Sequence, residues 1–266
     1  MIRRLALVAA LTLPALPALA GAQEQSQEAF SWNGTIPQGR WLYVRNMNGV
    51  IRVDRASGGQ AEVRGRLRTR GSADPKDVRF VTQKASDGQS IVICALWGER
   101  TSCDENGYRG DYNNRNGEDW SSVEFTVRIP QGVKLEVTSV NGGLEVRGAT
   151  SEVVARTVNG SVRAETEGGP VSARTVNGSI DARMSTIGDA RDLSFESVNG
   201  SVSVSMPQSL GAEVELSTVN GRVNTEFPIT VSGRIDPKRL RATIGDGSRR
   251  VRMKTVNGSV NLRRSE

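Results

Sequence analysis

Apolar and polar residues alternate along this chain in short bursts of period two. Val153 and Ala155, Val171 and Ala173, Leu193 and Phe195, Val214 and Leu216, and Val251 and Met253 each stand six and four positions before an Asn-Gly pair. An apolar residue returns three positions after the Asn, at Val162, Ile180, Val202 and Val260. Period two is the strand signature, so each unit predicts strand, corner, strand. Two positions before the Asn stands Thr or Ser, except for Asn46 in the first copy. One position before it stands Val, or Met47 in the first copy.

The corners fall at Asn48, Asn141, Asn159, Asn177, Asn199, Asn220 and Asn257, and the steps from Asn141 to Asn220 are 18, 18, 22 and 21 residues. A longer echo joins the first copy to the second. Ile36-Pro37-Gln38-Gly39 returns 93 residues later as Ile129-Pro130-Gln131-Gly132, and Leu42, Val44, Asn48 and Val53 match Leu135, Val137, Asn141 and Val146 at the same offset. Repetition at this period predicts an all-β chain of stacked coils, a β-solenoid of the parallel β-helix kind, with coils of 18–22 residues. Its alternative is an antiparallel β-meander, because Asn-Gly between alternating strands is also a strong hairpin signal. The solenoid accounts for the recurrence of whole words, where a hairpin needs only its turn. It predicts parallel stacking of the Asn159, Asn177 and Asn199 corners, with side-chain amides bonded up the stack. It also predicts a left-handed backbone there, which Asn and Gly tolerate.

The first half is less regular. Strands are expected over residues 61–69, 78–83, 90–97 and 121–129, with Asp87-Gly88 as a hairpin turn. Residues 99–119 form a polar insertion that interrupts the coils. The expected organisation is a leader over 1–22 and one repeat domain over 23–266, with diverged coils and hairpins over 30–128 and regular repeats over 129–266. No linker divides it.

The leader reading comes from Arg3-Arg4, an apolar run from Leu5 to Leu13, and small-x-small patterns at Ala18-Leu19-Ala20 and Ala20-Gly21-Ala22. These mark a cleaved signal peptide, hence a periplasmic or secreted protein. The apolar run is too short to span a bilayer, and no later segment is apolar enough to do so. Cys94 and Cys103 are then expected to form a disulfide.

The chain carries 35 Lys and Arg against 29 Asp and Glu, a net charge of +6. Loss of Arg3 and Arg4 with the leader leaves +4, too little, without a nucleic-acid motif, to point to nucleic acid. From Arg234 onward ten basic residues face three acids, a stretch suited either to solvent or to anionic groups. There is no His, which removes imidazole-based acid–base chemistry, His-dependent nucleophiles and His-ligated zinc. Neither catalytic residues, a metal site nor a cofactor is assigned. The acids of the insertion suggest a hard cation, but neither Asp104 nor Asp111 starts a loop with EF-hand spacing.

The Thr-Val-Asn-Gly-Ser repeats, the leader and the closing run from Lys254 to Val260 resemble the bacterial “putative adhesin” group of exported β-strand-repeat proteins of undefined function. The resemblance covers the chain from residue 30 and is strongest from Ile129. It implies an exported β-solenoid and supplies no catalytic motif.

Ten of the twelve aromatic residues precede Val127. Trp97, Tyr108, Tyr112 and Trp120 bracket or occupy the insertion and are the candidate ligand-binding residues, since flat aromatic faces give large contact area at small entropic cost. The resulting expectation is a non-enzymatic scaffold or adhesin-like binding protein of the cell envelope, with an envelope protein or a glycan as partner. The alternatives are a polysaccharide-processing β-helix enzyme and an envelope-stress sensing or regulatory partner. The oligomeric state is left open.

Overall fold

In the computed structural model, residues 25–110, 120–190, 192–231 and 236–265 are described. The expected leader and residues 111–119 of the insertion, Tyr112 among them, lie outside them. The first third holds β1 (Gln25–Gly34), β2 (Trp41–Arg45), β3 (Ile51–Arg55), β4 (Ala61–Arg70), β5 (Val78–Lys84), β6 (Ile91–Trp97), β7 (Ser102–Asp104), β8 (Gly107–Arg109) and β9 (Trp120–Ile129). The regular region holds β10 (Lys134–Thr138), β11 (Leu144–Ala149), β12 (Val153–Arg156), β13 (Val162–Thr166), β14 (Val171–Arg174), β15 (Ile180–Met184), β16 (Asp192–Glu196) and β17 (Val202–Met206). The C-terminal part holds β18 (Ala212–Ser217), β19 (Val223–Thr225), β20 (Thr230–Val231), β21 (Arg239–Ile244), β22 (Arg250–Lys254) and β23 (Val260–Arg264).

Two large sheets face each other. One has the order β1-β4-β9-β3-β11-β13-β15-β17-β23-β19, and the other β20-β21-β18-β22-β16-β14-β12-β10-β2-β6-β5. Each regular coil climbs one strand of the second sheet, turns at Asn-Gly, descends one strand of the first and returns. The chain is therefore a β-solenoid, and the meander is excluded in the regular region. Ala155 pairs in parallel with Val137 and Ala173, one coil to either side, and not with Ala164 across a hairpin.

Alternating residues point between the sheets. Val153, Ala155, Val162 and Ala164 of one coil lie against Val171, Ala173, Ile180 and Ala182 of the next, all buried. A single coil has no second layer on which to bury this face, so the stack is its core. The 93-residue echo is the same rule at longer range: Leu42 pairs with Leu135 and Val44 with Val137.

Both ends depart from simple repetition. At the N-terminal end, β1, β4 and β9 join antiparallel and β9 pairs parallel with β3. The β5–β6 hairpin extends the other sheet through β2. Phe30 stacks on Phe80 with ring centroids 5.0 Å apart, and Phe125 meets both edge-on at 6.4 and 6.2 Å. Gly65 clears this cluster, since a Cβ there would press on all three Phe side chains. The crowding of aromatics into the first half thus closes the open end of the stack.

At the C-terminal end the coils leave sequence order. The last coil, β22–β23, lies between the β16–β17 coil and the β18–β19 coil. The corners therefore stack as Asn48, Asn141, Asn159, Asn177, Asn199, Asn257 and Asn220. Antiparallel β21 and β20 then finish the second sheet.

Candidate functional site

The corner edge explains most of the repeated word. Each Asn side chain donates from Nδ2 to Oδ1 of the preceding corner at 2.7–2.8 Å, from Asn141 onto Asn48 through to Asn220 onto Asn257. The buried hydroxyl two positions earlier bonds to the Gly carbonyl of the preceding corner: Thr157 to Gly142 at 2.9 Å, Thr175 to Gly160 at 2.8 Å and Ser197 to Gly178 at 2.8 Å. The Ser after Gly accepts from the next coil, as when Ser179 N–H donates to Ser161 Oγ at 3.2 Å. Asn46 replaces the hydroxyl in the first copy because the neighbour beyond it is β9 and not another corner. Its longer amide reaches the Val123 carbonyl at 2.7 Å.

The left-handed expectation for the Asn is corrected. Among the described residues no non-glycine has positive φ. The corner is tight for another reason: a Cβ on Gly142, Gly160, Gly178, Gly200 or Gly258 would overlap the carbonyl of the preceding corner's Gly. Close approach of stacked backbones, more than handedness, requires glycine. Val alone in the word has no such partner, and Val158, Val198 and Val219 are exposed by 39%, 39% and 52%.

The described part of the insertion, residues 99–110, folds back onto the outer face of the second sheet. β7 and β8 form a small hairpin, and Cys94 is disulfide-bonded to Cys103. Ala85, Val92, Cys94, Leu96 and Cys103 make a second small core beneath it, with Tyr43, Val81 and Tyr108 packed against it. This is why Ile91–Trp97 is a continuous apolar run: β6 is covered on both faces. Arg45 pins the hairpin from below. Its buried guanidinium donates to the Asp104 carbonyl at 2.8 Å, to the Glu105 carbonyl, to Thr138 Oγ1 at 2.7 Å and to Glu136 Oε1 at 3.2 Å. Nothing in the local sequence distinguishes Arg45 from a solvated strand residue.

Two of the four candidate aromatics are committed to this packing. Trp97 is buried and donates from Nε1 to Ser121 Oγ at 2.9 Å. Tyr108 donates to the Ala95 carbonyl at 2.9 Å, and burial pushes its phenol above the usual range. Trp120 opens β9 and is exposed. Tyr112 lies outside the described residues. Trp97, Tyr108 and Trp120 are not brought together as one flat surface.

A different aromatic pair lies on the outer face beside the insertion. Trp41 stacks on Tyr43 at 5.8 Å, Lys134 Nζ lies 5.2 Å from the Trp41 ring centre and the Arg45 guanidinium 5.5 Å from that of Tyr43. Both rings are half-exposed. Period-two alternation on β2 puts them on the opposite face from Leu42 and Val44, the signal by which sequence could have found them.

The far end of the same face is a bank of cations. Glu215 bonds to Arg239 and Arg241 at 3.0 and 3.1 Å and pairs with Arg252 at 3.4 Å. Lys238, Arg239, Arg241, Arg252 and Lys254 line an open groove of about 630 Å³ with Glu196. The Arg239 hydrogen bond, followed by the other guanidiniums, outweighs burial and holds the Glu215 carboxyl below its usual range. Asp87, Asp104, Glu105 and Asp246 are also lowered, each first by a hydrogen bond to the carboxylate. Glu136 Oε1 is shared between Arg45 and Arg156. This is a surface of hydrogen-bond donors, in which guanidiniums engage both Glu215 and Glu136. Among the described residues no three His, Cys, Asp or Glu side chains form a metal-binding group, and no helix is long and apolar enough to cross a membrane.

No curated protein matches this chain. A solved structure titled a “putative cell adhesion protein”, from Clostridium sporogenes, is 10% identical over 92% of this chain and 100% of that chain, with TM-score 0.49. A “putative adhesin” from Bacteroides fragilis is 11% identical over 89% of this chain and 96% of that chain, with TM-score 0.35. The Toastrack DUF4097 family matches residues 70–263, a span that takes in the second small core, the regular coils and the inserted last coil. With well over half its length matched, the chain belongs to the Toastrack DUF4097 family.

Proposed function

We propose that this protein is an exported, non-enzymatic binding scaffold of the bacterial envelope, folded as one continuous repeat domain over 23–266. Its binding surface is the outer face of the eleven-stranded sheet. The observation that carries this reading is the engagement of Glu215 and Glu136 on that face by guanidiniums. A glycoside-cleaving acid needs a raised pKa and a second carboxylate placed across a bond. Glu215 has a lowered pKa and Glu136 is shared by two guanidiniums. The Trp41–Tyr43 pair and the Arg bank instead suit recognition of sugar rings and acidic groups, through stacking and charge-assisted hydrogen bonds. The leader pattern and the disulfide favour an oxidising compartment.

A panel of purified neutral and acidic polysaccharides tests the surface. Arg239→Ala/Arg241→Ala and Trp41→Ala should each weaken retention of the mature chain, while deletion of residues 110–118 leaves it intact. Retention by no member of the panel, or retention unaffected by these variants, counts against the face. Release of new reducing ends from any panel member, with or without calcium, would establish the enzyme alternative. Terminal sequencing of the exported chain should begin after Ala20 or Ala22; a chain that keeps Met1 overturns the export reading.

A further inference from the structure

The seven stacked corners share a sequence but not an environment. Asn-Gly is chemically labile because the Gly amide nitrogen can attack the Asn side-chain carbon. In six corners that nitrogen is occupied: the N–H of Gly49, Gly142, Gly160, Gly178, Gly200 and Gly258 donates to the carbonyl of the next corner's Asn at 2.7–3.0 Å. All six glycines are partly covered by the coil that follows. Among the described residues no coil follows Asn220 in the stack. Gly221 is exposed, and its N–H has no partner among the described residues. Asn220 itself is exposed, and among the described residues its side chain is tied on one side only, to Asn257 at 2.8 Å.

We infer that Asn220 is the deamidation site of this fold, and that the ladder protects the other six corners. The Gly221 nitrogen gives its proton to solvent base and bonds to Asn220 Cγ. The Cγ–Nδ2 bond then breaks and ammonia leaves, closing a succinimide. Water opens either imide C–N bond, leaving Asp or isoaspartate at 220. Nothing is oxidised or reduced, and water is the only co-reactant. The new carboxylate has no N–H to offer Asn257 Oδ1, so the last rung is lost. The isoaspartyl form also lengthens the backbone beside β19, which among the described strands pairs only with β23. The reaction therefore marks the age of the molecule at one end of its stack.

The folded protein is incubated in mildly alkaline buffer, and deamidation is read at each corner by peptide mass mapping. A second sample is incubated in denaturant. Loss of one hydrogen bond to the attacking nitrogen corresponds to about tenfold in rate. Asn220 is therefore expected to react at least that much faster than Asn159, Asn177 or Asn199 when folded, and at a similar rate to them when unfolded. Equal folded rates overturn the inference. So does a lead for Asn220 that persists in denaturant, since that lead would belong to the local sequence. Asn220→Asp should speed hydrogen exchange of residues 223–225 and leave β10–β17 unchanged; unchanged exchange at 223–225 overturns the structural consequence.

Discussion

At the scale of the residue, the repeated word separates into positions the stack requires and one it does not. The Thr175 hydroxyl satisfies the Gly160 carbonyl, so Thr175→Val, which keeps the shape, should cost about 1 kcal/mol in denaturant unfolding. Val176, one position on, is half-exposed, and Val176→Thr should stay within about 0.5 kcal/mol. Gly178→Ala drives a methyl into the Gly160 carbonyl and should cost about 3 kcal/mol, measured in the same way. A reading by turn propensity alone would rank these differently, because it credits Asn-Gly with a left-handed bend that the Asn does not make.

At the scale of the element, two hairpins at the N-terminal end of the second sheet, one on it and one within it, are held by separable means. The β7–β8 hairpin is tied by Cys94–Cys103 and by Arg45 beneath it. Cys94→Ala/Cys103→Ala should remove roughly 2–3 kcal/mol of loop-closure stabilisation. The loss should be local: hydrogen exchange rises over residues 102–109 and not in β10–β17. The turn of the β5–β6 hairpin depends on Asp87, which accepts from the Ser90 hydroxyl and from the N–H groups of Ser90 and Gln89. These bonds, the Ser90 hydroxyl first, lower its pKa from 3.8 to about 2. A lowered folded-state value means the turn's contribution is present above the unfolded carboxyl pKa, and is lost as pH falls through about 2. Amide shifts of Gln89 and Ser90 should titrate with that midpoint, and Asp87→Asn should abolish the titration.

At the scale of the whole molecule, the last coil in sequence is an interior coil in space. Truncation after Gly247 removes β22 and β23, which separate β16 from β18 and β17 from β19. It should expose Val202, Val204, Val214 and Leu216 together and abolish a single cooperative thermal transition, with proteolysis entering residues 192–225. Loss of a terminal coil from a sequential stack would be far milder. Period and spacing determined a great deal unaided: strand faces, coil length and parallel stacking of Asn on Asn, because a repeated unit stacks like on like whatever surrounds it. Tertiary structure decided what lies between units. Sequence order cannot say that β22–β23 enters between two earlier coils, since all corners are equivalent as local words. Nor can it say that Trp97 and Tyr108 turn inward, or that Arg45, on the outward face of β2 with Trp41 and Tyr43, is buried. Those outcomes follow from which hairpin covers which face, and that is set by contacts between residues remote along the chain.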